Sequence, residues 1–187
     1  MLDHLPKVHL GCGKRFLPGY IHVDVSDYSH VDFKTDVTSL EMFANESIGL
    51  IYASHVLEYF DRTEVVSVLK EWHRVLHPKG ILRIAVPDFH KLIRVYEDSG
   101  DLDRVVGPLY GRWEILPNRF IYHKTVYDYS SLYKILTNSG FHDIEYWDWS
   151  KVFTGIHAGF DDYSQAYYPH MDKENGLLIS LNVQGVK

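Results

Sequence analysis

Between Asp61 and Gly80 the apolar residues fall at helical spacing. Val65, Val68, Leu69, Trp72 and Leu76 recur every three or four positions, which predicts one buried face of a helix over 62–76. Asp61 followed by Glu64 has the form of a capping box, and His77-Pro78-Lys79-Gly80 supplies the stop. The period then changes. Ile81 to Val86 is a short apolar run broken only by Arg83, and it predicts a strand closed by Pro87. Gly49 to Ser54 predicts a second strand leading into the helix. Strand, helix and strand with short joints form a right-handed crossover, so the two strands are expected to lie parallel and adjacent.

The same reading continues in both directions. Phe89, Leu92, Ile93 and Tyr96 share a face over 89–98, with Asp88 placed to cap the first turn. Leu132, Ile135 and Leu136 predict a helix over 130–139 that Gly140 stops. Strands are expected at 143–149, 177–183, Lys7–Leu10 and Tyr20–Val25, with a short helix near Leu40–Phe43. Alternating strands and helices predict a single α/β domain over 1–187, with a mostly parallel sheet and helices on both faces. From Leu10 to Tyr20 is only 20 − 10 = 10 positions. That is too short for a full crossover helix, so the first one is expected to be reduced or absent. Residues 100–127 and 150–175 fit no regular element and are rich in aromatic side chains. They are expected to be walls or lids of a site.

Composition narrows the function. The 19 Lys/Arg and 25 Asp/Glu leave a net charge of −6, with no basic cluster of the kind that displaces phosphate counterions. Nucleic acid is not an expected partner. No apolar run approaches the ~18 residues of a membrane span, and Met1 to Lys7 lacks the features of a signal peptide. Cys12 is the single cysteine, which rules out an internal disulfide or a multi-cysteine zinc site. A cytoplasmic protein is the simplest expectation. The 14 Tyr, 4 Trp and 12 His supply side chains suited to small amphipathic ligands.

Three positions carry candidate chemistry. Leu10-Gly11-Cys12-Gly13 breaks a strand into a glycine turn, which can present N–H groups to a ligand or be an ordinary tight turn. Asp24 ends the next strand, where a carboxylate can accept from both hydroxyls of a ribose. Asp36 precedes the next element; for either acid a cap or loop charge is the alternative. A dinucleotide fingerprint needs glycine at position 16, which is Phe16. Its acid belongs about 20 residues on, whereas Asp24 follows Gly11 by 24 − 11 = 13. Nicotinamide binding, and with it a dehydrogenase, is disfavoured. His73 and His77 have metal-ligand spacing but no third ligand, so no metal is expected.

Together these segments resemble a class I S-adenosylmethionine-dependent methyltransferase, of a small group often associated with glycan assembly. The matching text is Leu10-Gly11-Cys12-Gly13, Val23-Asp24-Val25, Ala53-Ser54-His55-Val56-Leu57-Glu58, the Trp72-x-Arg74-Val75-Leu76-x-Pro78-x-Gly80 stretch, and Leu82 to Asp88. The resemblance implies a Rossmann-like fold with S-adenosylmethionine as cofactor. Gly11 and Gly13 would face its methionyl part, Asp24 the ribose and Asp36 the adenine. Ser54 and His55 would sit beside the sulfonium, with Leu10, Cys12, Val25 and Val37 flanking. Tyr59 stands where the resembled proteins commonly carry His.

The expected reaction is methyl transfer to an oxygen or nitrogen of a small polar acceptor, a sugar hydroxyl among the candidates. The alternative is a non-catalytic module that binds the cofactor or a nucleotide. Proton removal calls for a group titrating near neutrality, and histidine meets that condition. His123, inside the aromatic insert, ranks first as base and His55 as a positioning residue, with Asp88 as a candidate substrate contact or a helix cap. Acceptor identity and oligomeric state are open from sequence.

Overall fold

The computed structural model describes residues 4–187. The chain opens with β1 (Lys7–Leu10), β2 (Ile21–Asp24), β3 (Phe33–Lys34) and β4 (Ile48–Ser54), none of them joined by a helix. Leu40 to Phe43 closes a single hydrogen-bonded turn rather than the expected short helix. The helix α1 (Glu64–Val75) then leads into β5 (Leu76–Pro87). The expected stop at 77–80 is a bulge inside that strand, because Ile48 pairs with Leu76 while Leu50 already pairs with Ile81.

The remainder comprises α2 (Phe89–Ser99), α3 (Asp103–Tyr110), β6 (Trp113–Leu116), β7 (Arg119–Ile121), α4 (Tyr129–Asn138) and β8 (His142–Tyr146). It ends with α5 (Trp149–Val152), β9 (Tyr167–Tyr168), β10 (Leu177–Leu178) and β11 (Ser180–Val186). The segment 100–127, expected to be irregular, holds α3 and the β6–β7 hairpin. The strand expected at 177–183 divides in two: β10 pairs with β9 in a separate ribbon, and β11 joins the main sheet. Regular pairing in the strand expected at 143–149 stops at Tyr146, because Asp148 turns the chain into α5 by accepting from the Ser150 amide.

Seven strands form one sheet in the order β3-β2-β1-β4-β5-β11-β8. The first five are mutually parallel, and β11 runs antiparallel to both β5 and β8. This is a mostly parallel α/β sheet of Rossmann type. Side-chain alternation divides it. Val8, Leu10, Val23, Ile51, Ile84 and Val183 point to one face and form a continuous core with α1 and α4. The intervening Tyr52 and Ala85 point to the other face, into a cluster with Leu17, Trp147 and Phe153. The ten-residue link between β1 and β2 has no helix and drives Leu17, fully buried, against that second face. On α2 only Leu92 and Val95 are buried. Phe89, Ile93 and Tyr96, expected to face inward, are exposed because the helix packs on α3 along its other side.

Candidate active site

The carboxyl ends of β1, β2 and β4 open into a cleft of about 1000 Å³, roofed by the β6–β7 hairpin and the segment around Tyr163. Clefts at the carboxyl ends of parallel strands are where open α/β sheets bind ligands. Its floor begins at the glycine turn. Gly11 has φ +61°, and a Cβ there would sit 2.4 Å from a Val56 methyl carbon. Gly13, at φ +52°, lies under the Trp113 ring. Only glycine meets both demands at position 11: left-handed backbone and no room for a side chain.

Asp24 organises the next part. It is buried, and its carboxylate accepts from the Gly13 amide at 2.8 Å and from the Ser26 amide at 2.7 Å. One acid thus sets the relative position of the glycine turn and the end of β2. A carboxylate has about four acceptor sites, so two remain for a ligand. Cys12 is buried beside it, and burial together with the Asp24 charge pushes the thiol up to about 12. It stays a neutral thiol at physiological pH. Asp36 is exposed and accepts from the Thr38 amide at 2.8 Å. Ser54, at the end of β4, has a buried hydroxyl oxygen with no hydrogen-bond partner among the described residues.

Gly11, Cys12, Gly13, Asp24, Val25, Asp36, Val37, Ser54, His55 and His123 all line this cleft. Leu10 does not; its side chain is fully buried in the aliphatic core. Asp88 does not either. It caps α2, accepting from the Lys91 amide at 3.3 Å, and lines a separate cavity with Asp128 and Tyr146. The position is explained by the cap alone.

Sequence reasoning assigned no role to Glu58, which lies in a 3-10 turn over Leu57–Tyr59. Glu58 is fully buried, and neither carboxylate oxygen completes a hydrogen bond among the described residues. His55 Nδ1 lies 3.2 Å from its Oε1, and His123 Nε2 lies 3.7 Å away. His55 precedes the 3-10 turn and lies outside it, so no helical spacing in the sequence signals its approach to Glu58. His55 itself is held at φ +55°. For a side chain of that size this backbone costs about 1–3 kcal/mol and accumulates at functional sites. Burial lowers the His123 pKa, and the Glu58 charge opposes that shift. Burial, with Glu58 beside them, keeps the Tyr59 and Tyr127 phenols protonated.

Residues 9–84 match a family model described as a methyltransferase domain. No curated protein matches the chain by sequence. Among solved structures, an S-adenosylmethionine-dependent methyltransferase from Methanosarcina mazei aligns with a TM-score of 0.60 at 15% identity, over 100% of this chain and 94% of that one. One from Archaeoglobus fulgidus gives 0.58 at 15% identity, over 100% and 88%. The 1,6-didemethyltoxoflavin-N1-methyltransferase of Burkholderia thailandensis, with 1,6-didemethyltoxoflavin and S-adenosylhomocysteine bound, gives 0.56 at 13%, over 100% and 72%. At such identities the likeness establishes the Rossmann-like methyltransferase fold. No helix among the described residues is long and apolar enough to cross a membrane.

Proposed function

We propose that this chain, working as one domain, is an S-adenosylmethionine-dependent methyltransferase for a small polar acceptor. One observation carries the reading. A forced-glycine turn is tied by hydrogen bond to the acid at the end of the next strand, inside the segment that matches a methyltransferase domain. The residues fit the cofactor. Asp24 keeps two acceptor sites for a ribose diol, the unpartnered Ser54 hydroxyl lies nearby, and about 1000 Å³ exceeds what most single ligands need. The cofactor, when bound, supplies an electrophilic methyl group. The chain must orient an acceptor behind it, exclude water and remove a proton.

Gly11 and Gly13 would admit the methionyl part, and Asp36 would reach the adenine edge. The hairpin, with Trp113 over Gly13, and Tyr163 would close over the occupant. Aromatic walls with a histidine pair suit a hydroxylated acceptor such as a sugar. Titration calorimetry with S-adenosylhomocysteine tests the proposal. Wild-type protein is expected to bind, and Asp24→Asn to bind about ten-fold or more weakly. The variant loses hydrogen bonds to a charged group worth roughly 1.5–3 kcal/mol and turns an amide NH₂ toward a backbone N–H. Unchanged affinity in a folded Asp24→Asn protein would refute the assignment.

A further inference from the structure

The cleft runs against the charge of the whole chain. The protein carries a net charge of −6, yet Lys14, Arg15, Arg112, Arg119 and Lys124 all line the cleft. The acids that line it, Asp24, Asp36 and Asp162, are already engaged. Asp24 accepts from two backbone amides and Asp36 from the Thr38 amide. Asp162 accepts from the Tyr52 hydroxyl and from the amide and hydroxyl of Ser164. Among the basic groups, Lys124 pairs with Glu64 at 2.8 Å. The other four have no carboxylate within 4 Å among the described residues.

The cofactor leaves most of this charge unanswered. S-adenosylmethionine bears a sulfonium and an ammonium against a single carboxylate, so it is itself cationic. Lys14 and Arg15 directly follow the glycine turn proposed for the methionyl part, and they suffice for that carboxylate. Arg112 and Arg119 belong to the hairpin, one just before β6 and the other opening β7. Arg112 is the better held. Gly111, at φ +53°, lies so close to His123 that a Cβ would meet the imidazole at 2.4 Å. That contact, with the His123 amide donating to the Tyr110 carbonyl at 2.8 Å, fixes the chain entering Arg112. Its guanidinium stacks on the Phe120 ring, 3.6 Å from the centroid. Stacking uses a face of the guanidinium and leaves the edge N–H groups free, in the fork that fits a carboxylate or a phosphate.

We propose that the acceptor carries an anionic group, a carboxylate or a phosphate, which Arg112 binds and orients. The inference rests on the methyltransferase reading and adds to it the charge of the substrate. A basic cleft also draws such an acceptor in against the repulsion of a net-negative protein. Inorganic phosphate and acetate are the probes, titrated at an ionic strength held constant with chloride. Nitrogen-15 NMR of the Arg112 Nε–H reads binding, and the Trp113 indole beside it serves the variant. A saturable shift is expected in wild-type protein and is expected to persist when the protein is saturated with S-adenosylhomocysteine. Arg112→Gln is expected to weaken the anion about ten-fold or more, the scale of charge-assisted hydrogen bonds, at unchanged S-adenosylhomocysteine affinity. Tighter phosphate binding identifies a phosphorylated acceptor, and tighter acetate binding a carboxylated one. No saturable shift, displacement of the anion by S-adenosylhomocysteine, or equal affinity in folded Arg112→Gln overturns the proposal. Should the variant not fold, the displacement experiment on wild-type protein decides alone. Failure of wild-type protein to bind S-adenosylhomocysteine would remove the methyltransferase reading, whereas phosphate titration of the unloaded protein reads the anion site by itself.

Discussion

On one face of the sheet Val8, Leu10, Val23, Ile51, Ile84 and Val183 meet the apolar sides of α1 and α4. On the other, the neighbouring positions are His9, His22, Tyr52, Arg83 and Asn182, and no long helix among the described residues covers them. The same alternating strands therefore build two interiors with different rules. The first face gains about 1.5–3 kcal/mol for each large side chain buried, with no geometric demand beyond packing. The second must find partners for its polar atoms, and does so for most, while His9 Nδ1 and Ser54 Oγ have none among the described residues. Leu17 donates its amide to His22 Nε2, Tyr52 donates to Asp162, Trp147 donates to the Ile84 carbonyl, and His157 bonds the Pro18 carbonyl. Aromatic side chains from the 147–165 segment take the place of the crossover helices missing between β1 and β4. That polar face runs directly into the cleft, which His9, Ser54 and Asp162 help to line.

The comparison can be broken hardest on the helical face. Trp72 is fully buried there, and its indole nitrogen donates to the Val37 carbonyl at 2.9 Å. Trp72→Ala is expected to cost about 3–5 kcal/mol in urea unfolding; a loss under 1 kcal/mol would mean the face is not a packed core. On the polar face Tyr52→Phe removes one hydroxyl and leaves Asp162, buried, without its 2.5 Å partner. The expected cost is about 1.5–3 kcal/mol. It should come with faster proteolysis of the 150–175 segment, which distinguishes a detached strap from a weakened core.

The smallest effect is a pH dependence confined to the polar face. Burial, reinforced by His22 and His30, lowers the His9 pKa to about 3. Between that value and 6.5 the unfolded chain binds a proton that the folded chain refuses, so stability falls as pH drops. His9 alone is expected to contribute about 1 kcal/mol of loss at pH 5.5 relative to neutral pH. His22, also lowered by burial, acts in the same direction. His9→Phe should flatten the curve of urea midpoint against pH. An equal slope in wild type and variant would show that His9 is not buried as a neutral ring.

Spacing and periodicity along the chain were enough for β1, β2, β4, α1, α4, the parallel pairing of β4 with β5, and the absence of a helix between Leu10 and Tyr20. They also pointed to the glycine turn and Asp24, which do meet, the Gly13 amide donating to the Asp24 carboxylate. Those features are local: a buried helical face or a strand–turn junction is written within one short segment. What covers the second face was not legible, since it depends on contacts such as Tyr52 with Asp162, 110 positions apart. Nor was the pairing of His123 with Glu58, which only the folding of the 100–127 segment over the sheet brings about. A lone histidine, tyrosine or acid has no periodicity to betray its partner. Only the tertiary structure, by removing water from around such a group, decides which neighbour must take water's place.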